Sequence, residues 1–216
     1  MWGGSAAKGG HVPRYRAGGN KGGGNSGKGR SVGKFGEDRL DLGGGGGVGR
    51  LRGGDRQAGG GLIFASTTPP YAEKQCAAII AEALDLRRDI FSADVTDVLR
   101  AGTNGLKAAL DSVAAGSAKQ VLVIASDSRQ GAPKGDTERN SGDGAAAFLV
   151  SQENTIASLE GFYSITDNIL DNWRSAQDPF VRSWEERFAT EEGLERILGE
   201  AVSGYFQQQG SAAGDV

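Results

Sequence analysis

The spacing of apolar and polar residues predicts regular structure from residue 62 onward. Short apolar runs bounded by turn residues are typical of buried strands, and apolar residues three and four positions apart are typical of helices. The predicted strands are 62–66, 89–93, 120–125, 145–150 and 155–161, and the predicted helices are 71–86 and 98–115. The last two strands are close enough in sequence to pair as a hairpin. This order predicts an α/β domain with a mixed sheet and helices on both faces.

Several residues within these elements have predicted positions. Cys76 is expected in the middle of its helix, and Leu99 is expected on the apolar stripe of the longer helix. Asp94 and Thr96 are expected to cap that longer helix. Residues 164–207 are predicted to be helical, with aromatic side chains packed in a core, and 208–216 to be a frayed tail. Those aromatic residues are Trp173, Phe180, Trp184 and Phe188.

The first 61 residues differ from the rest in composition. They hold 24 of the 37 glycines and carry 11 Lys and Arg against 4 Asp and Glu, whereas residues 62–216 carry 13 against 23. Such a segment is typical of a disordered basic arm that binds RNA loosely. A helix over its glycines is not expected to hold, since glycine costs about 1 kcal/mol per helical position. Varied stretches at 12–16 and 34–42 instead favour a folded segment of the same domain.

Composition also excludes several kinds of site. One cysteine, Cys76, and one histidine, His11, cannot form an internal disulfide or a zinc site. Residues 62–216 contain no histidine, which argues against a Ser/His/Asp triad there. We therefore predict no metal and no bound cofactor. No run approaches the ~18 apolar residues of a membrane span, and the first residues lack an apolar signal core. The expected location is cytoplasmic, without a membrane partner.

Four spaced segments resemble a known family. They are ASTTPPYAEK at 65–74, ADVTDVLRAGT at 93–103, ASDSRQG at 125–131 and GDGAAA at 142–147. Together they resemble the N-terminal half of archaeal and bacterial hydroxymethylglutaryl-CoA synthases, members of the thiolase superfamily. The resemblance implies a thiolase-like fold, one half of a five-layered αβαβα architecture, with its core at 62–163 and an extension of the same domain at 164–207.

The resemblance also implies where the family's chemistry would lie. Its nucleophilic cysteine, at the start of a buried helix, aligns with Leu99, and its general-acid glutamate aligns with Thr67. The family's histidine belongs to the second half of the fold, beyond residue 216. A coenzyme A thioester is the implied substrate or ligand. The implied substrate-binding candidates are Thr68, Thr103, Asp127 and Asp143.

These substitutions change the expected function, because leucine cannot carry an acyl group and threonine does not exchange protons near neutral pH. Cys76 is expected to be a small buried apolar residue, and His11 a solvated loop residue. The sequence thus predicts a non-catalytic or partner-dependent subunit of an acyl-CoA condensing or cleaving complex. The implied partners are a second copy paired through 89–93, a thiolase, and a small acyl-CoA-binding subunit with an OB-fold and zinc ribbon.

Three alternatives stay open. The protein could be an active acyltransferase or lyase that uses residues outside this chain, or it could catalyse a cysteine-free retro-aldol cleavage. It could instead bind RNA through its Gly/Arg-rich arm, although the acidic balance of 62–216 disfavours contact with phosphate.

The family has an alanine-rich helix where this chain has 43–61. We therefore hypothesise that many glycines in 1–61 stand for side chains that were not identified.

Overall fold

The computed structural model describes residues 39–50 and 59–211, and these fall into two compact units. The first unit extends to residue 129 and includes 140–154. The second comprises 130–139 and the residues from 155 onward. The motifs of the family resemblance lie mainly in the first unit.

A four-stranded mixed sheet forms the centre of the first unit. Its strands are β1 (Gly61–Ser66), β2 (Phe91–Thr96), β3 (Gln120–Asp127) and β4 (Gly144–Ser151), in the spatial order β2-β1-β3-β4. β1 is parallel to both β2 and β3, whereas β4 is antiparallel to β3. The apolar run in β3 therefore lies in the interior of the sheet, where both faces are covered.

Helices cover both faces of this sheet, as the sequence predicts. α1 (Arg39–Arg50) and α2 (Cys76–Ala83) pack on one face, and α3 (Ala101–Ala114) packs on the other. Successive residues of a strand point to opposite faces, so Leu62 and Phe64 join the core under α2 while Ile63 joins the core under α3. The prediction of an α/β fold with a mixed sheet between helices is confirmed.

The glycine-rich helix α1 contradicts the expectation that a helix would not hold there. Gly43 and Gly47 are buried against the sheet side of α1. A β-carbon on Gly47 would lie 2.8 Å from Leu84 Cδ1 and 3.0 Å from Ile124 Cδ1, so the missing side chain lets the helix lie close to its neighbours. Packing offsets the low helix propensity of glycine. The stretch at 12–16 and residues 51–58 lie outside the described residues.

Two predicted elements of the first unit begin at other residues, and a strand predicted in the second unit is not formed. The helix predicted from residue 71 begins at Cys76, and the strand predicted at 89–93 is Phe91–Thr96. Residues 155–161 form no strand, and β4 pairs with β3 instead of forming the predicted hairpin. Their alternating pattern resembles a strand, yet Ile156 is fully exposed and gains no burial from strand pairing.

The second unit is helical only in its later part. Its elements are β5 (Asn172–Trp173), β6 (Arg182–Ser183), α5 (Glu186–Phe188), a π-helical segment (Ala189–Glu195), α6 (Arg196–Gln209) and all but the last residue of α4 (Asp136–Asn140). The helix predicted from residue 164 is therefore wrong before residue 186. The aromatic core is also not formed as expected, since Trp184 and Phe188 are 56% and 43% exposed. The rings of Trp173 and Trp184 lie 6.2 Å apart.

Candidate functional site

One edge of the sheet gathers most of the residues that the sequence singles out. β1, β2 and β3 are parallel, so their carboxyl ends meet at this edge, and β4 begins there because it runs antiparallel. Thr67 and Thr68 follow β1, Asp127 ends β3, and Asp143 directly precedes β4. Ligands of open α/β sheets bind at the carboxyl ends of the strands. The topology thus places these candidates where a ligand site is expected.

A hydrogen-bonded cluster around Asp127 joins the ends of β1 and β3. Four donors converge on Asp127 Oδ1: the Ser66 hydroxyl at 2.9 Å, the Thr67 N–H at 2.9 Å, and the hydroxyls of Thr67 and Thr68 at 3.1 Å each. The Thr68 N–H also donates to Ser66 Oγ at 3.1 Å. An ionised carboxylate can only accept, so Asp127 fixes all three hydroxyls as donors.

Two of the hydroxyl groups in this cluster are buried. Ser66 and Thr68 are buried polar residues, only 1% and 9% exposed. Buried hydroxyls need partners, and Asp127 supplies them. The structure therefore brings together Thr67, Thr68 and Asp127, whereas the role of Thr68 and Asp127 in substrate binding stays a prediction.

Leu99 does not occupy the predicted apolar stripe of α3. It lies in the turn of residues 97–100, directly before the helix, and 49% of its surface is exposed to solvent. The residues of α3 that are buried against the sheet are instead Ala101, Gly105, Ala109 and Val113. A thiol at position 99 would thus stand near the start of a helix and remain accessible.

The remaining two substrate-binding candidates lie outside the cluster on Asp127. Thr103 is exposed in the first turn of α3, and its hydroxyl donates to the Arg100 carbonyl at 3.0 Å. The prediction that Thr96 caps this helix is wrong, because Thr96 ends β2, its hydroxyl donates to the Asp97 carboxylate at 3.0 Å, and Arg100 is the residue at the cap position. Asp143 is partly exposed beside the first residue of β4. None of these positions joins the hydrogen bonds on Asp127.

Cys76 is the first residue of α2, which corrects the expectation that it lies mid-helix. Its N–H donates to Asp94 Oδ2 at 2.6 Å, and the Ala77 N–H donates to Asp94 Oδ1 at 2.8 Å. Asp94 lies in β2 and binds the start of α2, so the prediction that it caps the longer helix is wrong. The Asp94 carboxylate occupies the positive end of the helix dipole, which would otherwise stabilise a thiolate. The fully buried Cys76 thiol donates to the Lys74 carbonyl at 3.7 Å.

An open groove of about 430 Å³ lies between the segment that follows Thr68 and the carboxyl end of β2. Tyr71, Glu73 and Lys74 line one part of it, and Asp97 lines another. The Lys74 ammonium lies 5.7 Å from the centre of the Tyr71 ring, within the range of a cation–π contact.

Over residues 39–50 and 59–211, no set of three or more His, Cys, Asp or Glu side chains is arranged to hold a metal. Within the same ranges, no helix is long and apolar enough to cross a membrane.

Two residues of this region carry roles that the sequence did not reveal. Ser66 completes the donors on Asp127, and Asp94 binds a helix 17 and 18 residues before it. Both contacts join segments far apart in the chain. Such contacts cannot be predicted from local sequence patterns. They could have been predicted only if the register of the strands in the sheet had been known.

Curated proteins that are similar in sequence to this chain belong to the family that the motifs resemble. No family model matches the chain. A hydroxymethylglutaryl-CoA synthase of Methanocaldococcus jannaschii is 34% identical over 156 residues, covering 72% of this chain and 45% of the relative. The synthase of Pyrococcus horikoshii is 37% identical over 123 residues, covering 56% of this chain and 35% of the relative.

A solved structure agrees as well. A hydroxymethylglutaryl-CoA synthase complexed with CoA superposes with a TM-score of 0.79 at 21% identity, covering 86% of this chain and 48% of that one. The chain thus spans less than half the length of each of these proteins. Its sequence and fold make it a hydroxymethylglutaryl-CoA synthase-like protein with the thiolase-like fold.

Proposed function

We propose that this chain is a non-catalytic or partner-dependent subunit of an acyl-CoA condensing or cleaving complex, with a coenzyme A thioester as its ligand. One observation carries the proposal. The position that the family resemblance assigns to the nucleophile is Leu99, in an accessible turn at the start of α3, and the chain's one thiol, Cys76, is buried in α2.

Acyl transfer from coenzyme A needs a nucleophile and a group that moves protons. Leu99 offers no lone pair for attack on a thioester. The Thr67 hydroxyl, at the position assigned to the general acid, donates to Asp127, and no histidine lies among residues 39–50 and 59–211 to activate it. The carboxyl ends of these strands would therefore shape the ligand site and supply groups that bind the ligand, while a partner supplies the residues for the covalent chemistry.

The expected ligand and partners follow from the resemblance. The similar synthase of known structure holds CoA, which supports a coenzyme A compound as the ligand here. A thiolase would supply the missing nucleophile, and a small OB-fold and zinc-ribbon subunit would deliver the acyl-CoA. A second copy of the chain would pair along β2, the strand at one edge of the described sheet. Such pairing removes an exposed row of backbone donors and acceptors.

Intact-mass spectrometry after incubation with acetyl-CoA tests the missing nucleophile. The unmodified chain is expected to gain no acetyl group. Leu99→Cys is expected to gain one, and to gain it equally in a Cys76→Ala background, because the new thiol is accessible at a helix start. Leu99→Ser serves as the matched variant without a thiol. An acetyl group on Cys76 of the unmodified chain would refute the proposal, as would turnover of acetyl-CoA by the isolated chain.

Light scattering coupled to size-exclusion chromatography tests the pairing. The expected mass is twice the 22.3 kDa of the chain. A single monomeric species at micromolar concentration would rule out a stable homodimer without bearing on the missing nucleophile.

A further inference from the structure

Arg129 carries the one buried side-chain nitrogen or oxygen without a hydrogen-bond partner among the described residues. It follows β3 by two residues, on the segment that leaves the Asp127 edge of the sheet. The residue is partly buried, and its Nε is enclosed with no acceptor. Within residues 39–50 and 59–211, its guanidinium also forms no ion pair.

An unpartnered buried N–H is unusual, because its lost hydration is not replaced. The buried hydroxyls of Ser66 and Thr68, by contrast, both have a partner in Asp127. That carboxylate already accepts four hydrogen bonds on Oδ1 and makes no ion pair with Arg129 in the described part of the chain. Arg129 thus retains a cation two residues beyond the end of β3, even though Asp and Glu outnumber Lys and Arg by 23 to 13 in residues 62–216.

The chemistry of a guanidinium limits what could satisfy this group. Arginine stays protonated, and its two terminal Nη groups form a planar fork that matches two oxygens of a carboxylate or a phosphate. A neutral acceptor such as a carbonyl would satisfy one donor and leave the charge without a partner. An oxyanion is therefore the ligand group that fits Arg129.

We infer that Arg129 binds an oxyanion of the thioester ligand, either a phosphate of the coenzyme A part or a carboxylate of the acyl part. This inference rests on the proposed function for the identity of the ligand. It assigns Arg129 a binding role that is separate from the missing nucleophile at Leu99. The geometry of the fork predicts that lysine, a single point charge, substitutes poorly.

Calorimetric titration at constant ionic strength tests this with two probes. Coenzyme A presents phosphates and no carboxylate, and 3-hydroxy-3-methylglutarate presents carboxylates and no phosphate. We expect Arg129→Gln to raise the Kd of one probe at least tenfold and Arg129→Lys to raise it at least fivefold. Arg88→Gln removes the same charge at an exposed position before β2, at the opposite end of the strands, and is expected to change the Kd less than twofold. The affected probe identifies the oxyanion.

Thermal unfolding separates a binding role from a structural one. Because Nε has no partner, Arg129→Gln is expected to leave the midpoint without ligand unchanged or higher, and to abolish the upward shift that the bound probe causes in the unmodified chain. A midpoint several degrees lower without ligand would instead assign Arg129 a structural role and overturn the inference.

The remaining outcomes distinguish this inference from the proposed function. If the unmodified chain binds coenzyme A and Arg129→Gln binds it and the dicarboxylate equally well, Arg129 is not the oxyanion site, although the proposed ligand stands. If the unmodified chain binds neither probe, both conclusions fail. If only the dicarboxylate binds, and only through Arg129, the oxyanion site stands and coenzyme A is removed as the ligand.

Discussion

Removal of the Asp127 carboxylate should destabilise the first unit strongly. Asp127→Ala would leave four donors without their acceptor, and two of them belong to Ser66 and Thr68, which are 1% and 9% exposed. Each buried donor without a partner costs about 1–3 kcal/mol, so this pair alone costs about 2–6 kcal/mol. The Thr67 groups lie nearer solvent and can bind water instead. We expect a loss of about 4 kcal/mol in the free energy of unfolding.

Asp127→Asn should cost less, because the amide keeps one oxygen acceptor for the converging donors while it loses the charge and the second oxygen. Hydrogen bonds to charged groups contribute about 1.5–3 kcal/mol and neutral ones about 1 kcal/mol, so we expect a loss of about 1–2 kcal/mol. Asp89→Ala, which removes the same charge at an exposed surface pair, should change stability by less than about 0.5 kcal/mol.

Pulsed labelling of the Cys76 thiol across a urea series measures these changes. Cys76 is the chain's one cysteine, is fully buried in the first unit, and becomes reactive when that unit unfolds. A loss below 1 kcal/mol for Asp127→Ala, or equal losses for the alanine and asparagine variants, would show that the converging hydrogen bonds do not hold β1 and β3 together.

Three other predictions follow from the contacts. Asp94→Ala should destabilise the first unit by about 1–2 kcal/mol in the same assay, because the start of α2 loses both acceptors; an unchanged value would contradict this. Gly45→Ala should stabilise it by about 1 kcal/mol, since the new β-carbon meets nothing within 4 Å, whereas Gly47→Ala should gain less; equal gains would refute the close packing of α1. A hydrogen bond from Arg196 lowers the pKa of Asp167 below its ordinary 3.8, so this pair stabilises the fold above pH 3.8 and the effect is lost as pH falls through the lowered value. Arg196→Met should return that pKa toward 3.8 in a carboxyl NMR titration, and an unchanged titration would contradict the cause.

The sequence predicts the sheet well where local pattern and burial agree. Val121 to Ile124 form a continuous apolar run because β3 lies between two strands and under helices on both faces, and such a run has few other stable placements. The strand at 62–66 was predictable for the same reason. The parallel arrangement then follows from the helices between these strands.

The start of α2 and the end of the sheet show what local pattern cannot supply. Apolar residues at helical spacing predict a helix from residue 71, but the helix begins at Cys76, where Asp94 from β2 accepts two of its free N–H groups. The cluster on Asp127 likewise depends on strand register. Leu99 is apolar at helical spacing, and its exposure in the structure could not be read from the sequence.

The Asp127 cluster also has a consequence for how the protein acquires a site during folding. The bonds from Ser66 and Thr67 to Asp127 span 61 and 60 residues of chain, so they form only after β1 and β3 have paired. α2 and α3 consist of contacts local in sequence, which form faster than such long-range pairings. A partly folded chain can therefore hold its helices and a strong helical circular-dichroism signal while it has no ligand site at all. Competence to bind is a property of the completed sheet, and it would be lost in one step when β3 separates from β1.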